Sequence, residues 1–154
     1  MKLKSLVLLL ASTMTGIAHA HTASAEAPEG VWLIKGKAAV QIFDCKGLLC
    51  GRILWLQAPH DSQGQLKRDM KNPDSALRQR DLCGLTVMWD LRSSGPNHWD
   101  DGWFYNPVSG KTYNIKMELT SSDALVARFY QGTSLVGETK SLSRVRQGTS
   151  DGWC

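Results

Sequence analysis

Asp44-Cys45-Lys46-Gly47-Leu48-Leu49-Cys50-Gly51-Arg52-Ile53-Leu54-Trp55-Leu56 is the stretch whose reading decides the fold. Cys45 and Cys50 flank a tight turn, and the residues from Arg52 to Leu56 run away from it as a strand. Four intervening residues form a hairpin loop that sets the two cysteines opposite one another, within reach of a cross-link. The stretch predicts a β-sheet protein of an oxidising compartment, with a Cys45–Cys50 disulfide.

The chain holds four cysteines, and in an exported protein these are expected to be oxidised. Beyond Cys45–Cys50, Cys83 either pairs with Cys154 or both stay free; the rival pairing is Cys50–Cys83, each of which is followed by glycine. A metal site is not expected, because there is no Cys-x-x-Cys and no histidine beside the cysteines.

The N-terminus gives the reason to expect export. Met1-Lys2-Leu3-Lys4 is a short basic region, and Leu6 to Ile17 is an apolar core too short to span a membrane. Ala18-His19-Ala20 is the small-x-small pattern of a cleavage site, with Ala23-Ser24-Ala25 as a second choice. Residues 1–20 are read as a signal peptide, 21–29 as a flexible leader, 30–146 as one β-domain and 147–154 as a tail. The expected location is periplasmic or secreted, with no membrane-spanning segment after cleavage. Removing Lys2 and Lys4 lowers the basic count from 18 to 16, which against 14 acids leaves a net charge of +2. A near-balanced, scattered charge argues against nucleic acid as a partner, since that role needs a dense basic face.

From the hairpin outward, the pattern is strand, turn, strand. A first strand runs from Gly30 to Ile34, a second from Ala38 to Phe43, and the third ends near Gln57. Strands resume at Gly84, with Leu85, Val87, Trp89 and Leu91 expected on one face. Further strands are Trp99 to Tyr105, the segment around Tyr113 to Thr120, Leu125 to Tyr130, and Leu135 to Val145. The sixth is the clearest: Tyr113, Ile115, Met117 and Leu119 face one way, and Asn114, Lys116, Glu118 and Thr120 the other. The long connection from Ala58 to Leu82 breaks this rhythm. Asn72-Pro73-Asp74-Ser75 reads as a helix start, with Asn72 as cap, Pro73 in the first position and a helical turn or two over Ala76 to Gln79. Long ordered loops often serve as lids or binding loops. The expected fold class is all-β: a small antiparallel up-and-down barrel of about eight strands, one long loop and a short helix, since closure removes exposed sheet edges. An open or sandwiched sheet is the alternative.

Several stretches resemble a known family. They are Gly30-x-Trp32, Leu49-Cys50-Gly51-Arg52-Ile53-x-Trp55-Leu56, Lys71-Asn72-Pro73-Asp74-x-Ala76-Leu77-Arg78, Leu82-Cys83-Gly84-Leu85, Tyr105-Asn106-Pro107-x-Ser109-Gly110-Lys111-Thr112-Tyr113 and Ser143-Arg144-Val145. In order along the chain, they resemble the bacterial exported family known as domain of unknown function 2147. The resemblance implies a lipocalin-like barrel and no established activity. One departure is Leu142, where an aromatic usually precedes the arginine. The Gly30-x-Trp32 opening also resembles the first strand of lipocalins, which implies that Arg144 packs over Trp32 and closes one barrel end. A guanidinium over an indole gains cation–π energy and has donors left for loop carbonyls.

No Ser/His/Asp or Cys/His arrangement declares itself, so no catalytic residue is assigned and enzymatic activity is the least expected role; no cofactor is expected either. The aromatic supply points instead to a cup with an aromatic wall. Trp55, Tyr105 and Tyr113 are the wall candidates, and Arg78, Lys111 and Arg128 are candidates to meet an anionic head group. Trp55 is expected on the face of Ile53, beneath a loop carrying Arg78. The function this supports is binding of a small apolar or anionic amphipathic molecule inside the barrel. The alternative is a structural or protein-interaction module of the cell envelope with a filled barrel.

Overall fold

Alternation gives each strand one apolar face, and eight such faces must be buried together or left in water. In the computed structural model, which describes residues 27–146, the solution is closure. Strands β1 (Gly30–Ile34), β2 (Ala38–Asp44), β3 (Leu49–Leu56), β4 (Thr86–Gly95), β5 (His98–Asn106), β6 (Lys111–Ser121), β7 (Ala124–Tyr130) and β8 (Gly137–Arg144) follow one another around a closed antiparallel barrel. β8 returns to β1 with Trp32 opposite Arg144 and Leu33 opposite Ser143. The expected barrel is therefore the observed one. The proposed signal and tail segments lie outside the described residues.

The core runs down the axis. Trp32, Ile42, Leu91, Ile115 and Leu125 are essentially inaccessible, and Leu49, Ile53, Met117 and Leu119 pack with them. Glycine makes room where the barrel is tightest. A Cβ on Gly102 would lie 2.2 Å from Leu91 Cγ, so no larger residue fits there without displacing the leucine.

Three local readings need correction. First, β3 does not alternate simply. Val40 pairs with Ile53 but Ala39 pairs with Trp55, so Leu54 is an extra residue at a bulge. The bulge turns over the residues beyond it. Leu56, paired with Ala38, packs against the core, whereas Trp55 joins Ala39 on the outer face. Second, Trp89 does not share a face with Leu91, whereas Val87 is buried in the core with it as expected. Asp90, between Trp89 and Leu91, takes a left-handed conformation (φ 62°), so Met88, which pairs with Phe104, and Leu91 are buried while Trp89 joins Trp103 on the outer face. Third, the loop helix is only a 3₁₀ turn, Ser75–Leu77, and its cap is Asp74, whose carboxylate accepts from the Ala76 amide. Asn72 is committed elsewhere, to the carboxylate of Asp69.

The Cys45–Cys50 disulfide is formed, with a Cα–Cα distance of 5.8 Å. That excludes the Cys50–Cys83 rival. Cys83 is itself disulfide-bonded, and its expected partner, Cys154, lies outside the described residues.

Candidate functional site

The two barrel ends differ because the chain treats them differently. One end collects the cysteine hairpin, the β4–β5 and β6–β7 turns and both chain termini of the described barrel. There, the Arg144 guanidinium lies 4.3 Å from the centre of the Trp32 ring. Its three nitrogens donate to the carbonyls of Ser122 at 2.5 Å, Glu29 at 2.7 Å and Ala27 at 2.8 Å. Trp32 Nε1 donates to Pro28 O at 2.8 Å. Leader, last strand and turn are thus fastened across the axis, and this end is shut.

The other end carries the β1–β2, β5–β6 and β7–β8 turns and the long loop 57–85. Here inward-facing residues are less covered. Tyr113 pairs with Phe104, and Phe104 meets Phe129 with ring centres 4.5 Å apart. These three, with Ile34 and Leu56, are half-buried, while the layer beneath them is buried. The result is a shallow aromatic cup above a filled core. In β8, Leu142 faces inward against Leu125, so alternation turns Lys140 and Glu138 inward too, opposite Ala127 and Phe129. Lys140 and Glu138 form an ion pair at the cup's edge. The bonded Lys140 ammonium, and more distantly Lys37, hold the Glu138 carboxyl below its ordinary value. Strand alternation could have found this pair from sequence, had the last strand been counted inward from Leu142.

The long loop does not cap the cup. It lies against the outer wall, where a buried carboxylate fixes it. Asp69 is wholly inaccessible. Its Oδ1 accepts from the Tyr105 hydroxyl at 2.6 Å, and its Oδ2 accepts from Asn72 Nδ2 at 2.8 Å and from Arg80 Nε and Nη2 at 3.0 and 2.9 Å. Asn72 Oδ1 in turn accepts from the Asp74 amide at 2.9 Å. A buried carboxylate is tolerable only when paired in this way. Burial, together with the bond to Asp69, pushes the Tyr105 phenol up to about 12. Gly110, with φ of 69°, presses the β5–β6 turn onto the loop: a Cβ there would meet Lys71 O at 2.0 Å.

The structure scatters the residues named as ligand candidates. Tyr113 lines the cup, and Lys111 stands exposed at its rim, opposite Asn106. Tyr105 is on the outer face, opposite Thr112, and is covered by the loop. Trp55 is outside because of the bulge at Leu54. Arg78 donates Nε to Asn72 O at 2.8 Å, within its own loop, while Asp81 is paired with Arg68. Arg128 also faces outward, where it grips the β7–β8 turn through Ser134 O at 2.6 Å, Leu135 O at 3.0 Å and Thr139 Oγ1 at 2.8 Å. It therefore meets no carboxylate inside the barrel. Asp69 and Arg80 escaped the sequence reading because their pairing with Tyr105 joins segments 36 residues apart, with no local pattern to announce it.

A closed eight-stranded barrel, shut at one end and open at the other, defines a lipocalin-like protein. The chain belongs to a family of uncharacterized proteins conserved in bacteria (DUF2147), whose model matches residues 30–144. Among solved structures it is similar to one described as protein HP1028 from the human pathogen Helicobacter pylori, which belongs to the lipocalin family. The identity is 25%, with 77% of this chain and 83% of that chain covered and a TM-score of 0.65. No curated protein matches the sequence.

Proposed function

We propose that this is an exported binding protein that takes the apolar end of a small amphipathic molecule into the cup. The observation that carries this reading is the gradient of burial along the axis: inward aromatics at the open end stay half-exposed while the residues below are sealed. Phe104, Phe129 and Tyr113 offer apolar area, and burial of apolar area is the general source of affinity in such pockets. Lys140 turns inward on β8, opposite Ala127. Its ammonium, now on Glu138, is positioned to exchange that carboxylate for an anionic head group. Location outside the cytoplasm is supported by the disulfide.

The test is native mass spectrometry of the protein purified from the periplasm of its own host, beside a Phe129→Ser variant. A co-purifying apolar or anionic amphipathic mass, lost from the variant, is the expected result. Ligand-free protein in both samples would refute the reading. A second reading, an envelope interaction module, rests on Val108, Leu135 and Val136, which stand 81%, 87% and 72% exposed on turns around the same rim. Ligand-free protein that co-purifies with an envelope component would favour it.

A further inference from the structure

We infer that a second site lies outside the barrel, in the groove between the long loop and the wall, and that it takes a neutral pyranose sugar. The groove holds about 280 Å³ and is lined by Asn72, Arg80, Thr86, Trp89, Tyr105 and Thr112. It is built rather than incidental: Asn72 is 95% buried, at 5% exposure, and is held by Asp69 and Asp74. One wall is apolar. Trp89 is half-buried, and its cross-strand partner on the outer face is Trp103, 42% exposed. Trp89 lines the groove, and Trp103 stands on the neighbouring strand outside its lining. The ring faces are electron-rich, and the weakly positive axial C–H groups of a pyranose stack on such faces.

The other wall is polar and neutral. Arg80 spends Nε and Nη2 on Asp69, so its charge is matched, and Nη1 has no hydrogen-bond partner among the described residues. The Thr86 and Thr112 hydroxyls likewise have no side-chain hydrogen bonds among the described residues. Donors and acceptors are therefore mixed at short spacing beside an aromatic face, which suits adjacent sugar hydroxyls. An anion is disfavoured because the arginine is already neutralised and neither Lys71 nor Lys111 lines the groove.

The site is independent of the cup. The experiment follows tryptophan indole N–H signals by NMR in the full mature protein as soluble oligomers of N-acetylglucosamine, oligomers of glucose, or inorganic phosphate are added. The expected result is a saturable shift with one sugar class, which also identifies whether amino sugars or plain hexoses are the source. Thr112→Val should weaken binding by about three- to tenfold, and Trp89→Phe should do the same, the size of one lost polar or stacking contact. Lys140→Ala should leave sugar binding unchanged. Retention of full affinity in both groove variants, no shift with either sugar, or a shift with phosphate alone would overturn the inference.

Discussion

The shut end and the open end of this barrel are made from the same kinds of residue, arranged for opposite outcomes. At the shut end an indole is buried completely and an arginine is spread over three backbone carbonyls from two separated segments. At the open end, aromatic rings remain half in water and the inward-turned Lys140 and Glu138 pair with each other instead of with the backbone. An arginine bound to carbonyls is locked to the fold. A lysine bound to a neighbouring glutamate at an exposed rim can let go at small cost, because such pairs contribute little. Stability is thus concentrated where the chain ends meet, and accessibility where the turns are.

Replacing an aromatic at each end gives the largest contrast. Trp32→Ala should destabilise the barrel by about 3–5 kcal/mol, the range for deleting a fully buried large side chain. Phe129→Ala, at the half-exposed cup, should cost clearly less in the same urea titration. Equal losses would mean that the open end is as tightly built as the shut one.

The loop lock is the next test. Tyr105→Phe removes a donor from a buried carboxylate oxygen and should cost about 1–3 kcal/mol. It should also change the response to alkali. The Tyr105 phenol is raised from its ordinary 10.0 to about 12 in the fold, so folding favours the protonated form. The associated stability is complete below pH 10.0 and is lost as pH rises toward about 12, because the unfolded chain releases the proton first. Wild type should therefore lose stability over that interval more steeply than Tyr105→Phe, as read by denaturant titration at stepped pH. Parallel profiles would show that the Tyr105–Asp69 bond does not anchor the loop.

How much of this was legible in the sequence divides along the same line. The β6 pattern of Tyr113, Ile115, Met117 and Leu119 is local, and the buried face it announces is the one observed. The cysteine spacing is equally local, and so was readable. Trp55 and Trp89 are misplaced by sequence alone because an irregularity in a strand leaves composition unchanged, yet one extra residue before Trp55, or one left-handed residue between Trp89 and Leu91, breaks the alternation. The outward placement of Tyr105 and Arg128 follows the registers of β5 with β6 and of β7 with β8, which a single strand cannot reveal. The Asp69 lock is a purely tertiary feature. Sequence patterns show which residues share a strand face; they do not show which face a covering loop will seal.

The disulfide sharpens the comparison at the shut end. Its loop is short, with a sequence separation of 5, so cross-linking restrains the unfolded chain only modestly, by about 2 kcal/mol or less. Selective reduction of Cys45–Cys50 should lower the urea midpoint while leaving the barrel's circular dichroism intact below it. Unfolding on reduction would show that the hairpin, and not Trp32 with Arg144, holds that end together.

The smallest expected effect on stability is the most telling for the open end. Lys140 pairs with Glu138, whose side chain is 68% exposed, and surface pairs of this sort contribute about 0–1 kcal/mol. Lys140→Ala should therefore leave the unfolding curve nearly unchanged. If the cup holds an amphipathic molecule by its charged end, the same substitution should strip an anionic ligand from the purified protein while a neutral apolar one is retained. Lys140→Arg keeps the charge and should keep the ligand. The reverse pattern, a large loss of stability with the bound mass undisturbed, would make Lys140 part of the barrel's structure and leave the two ends alike in kind.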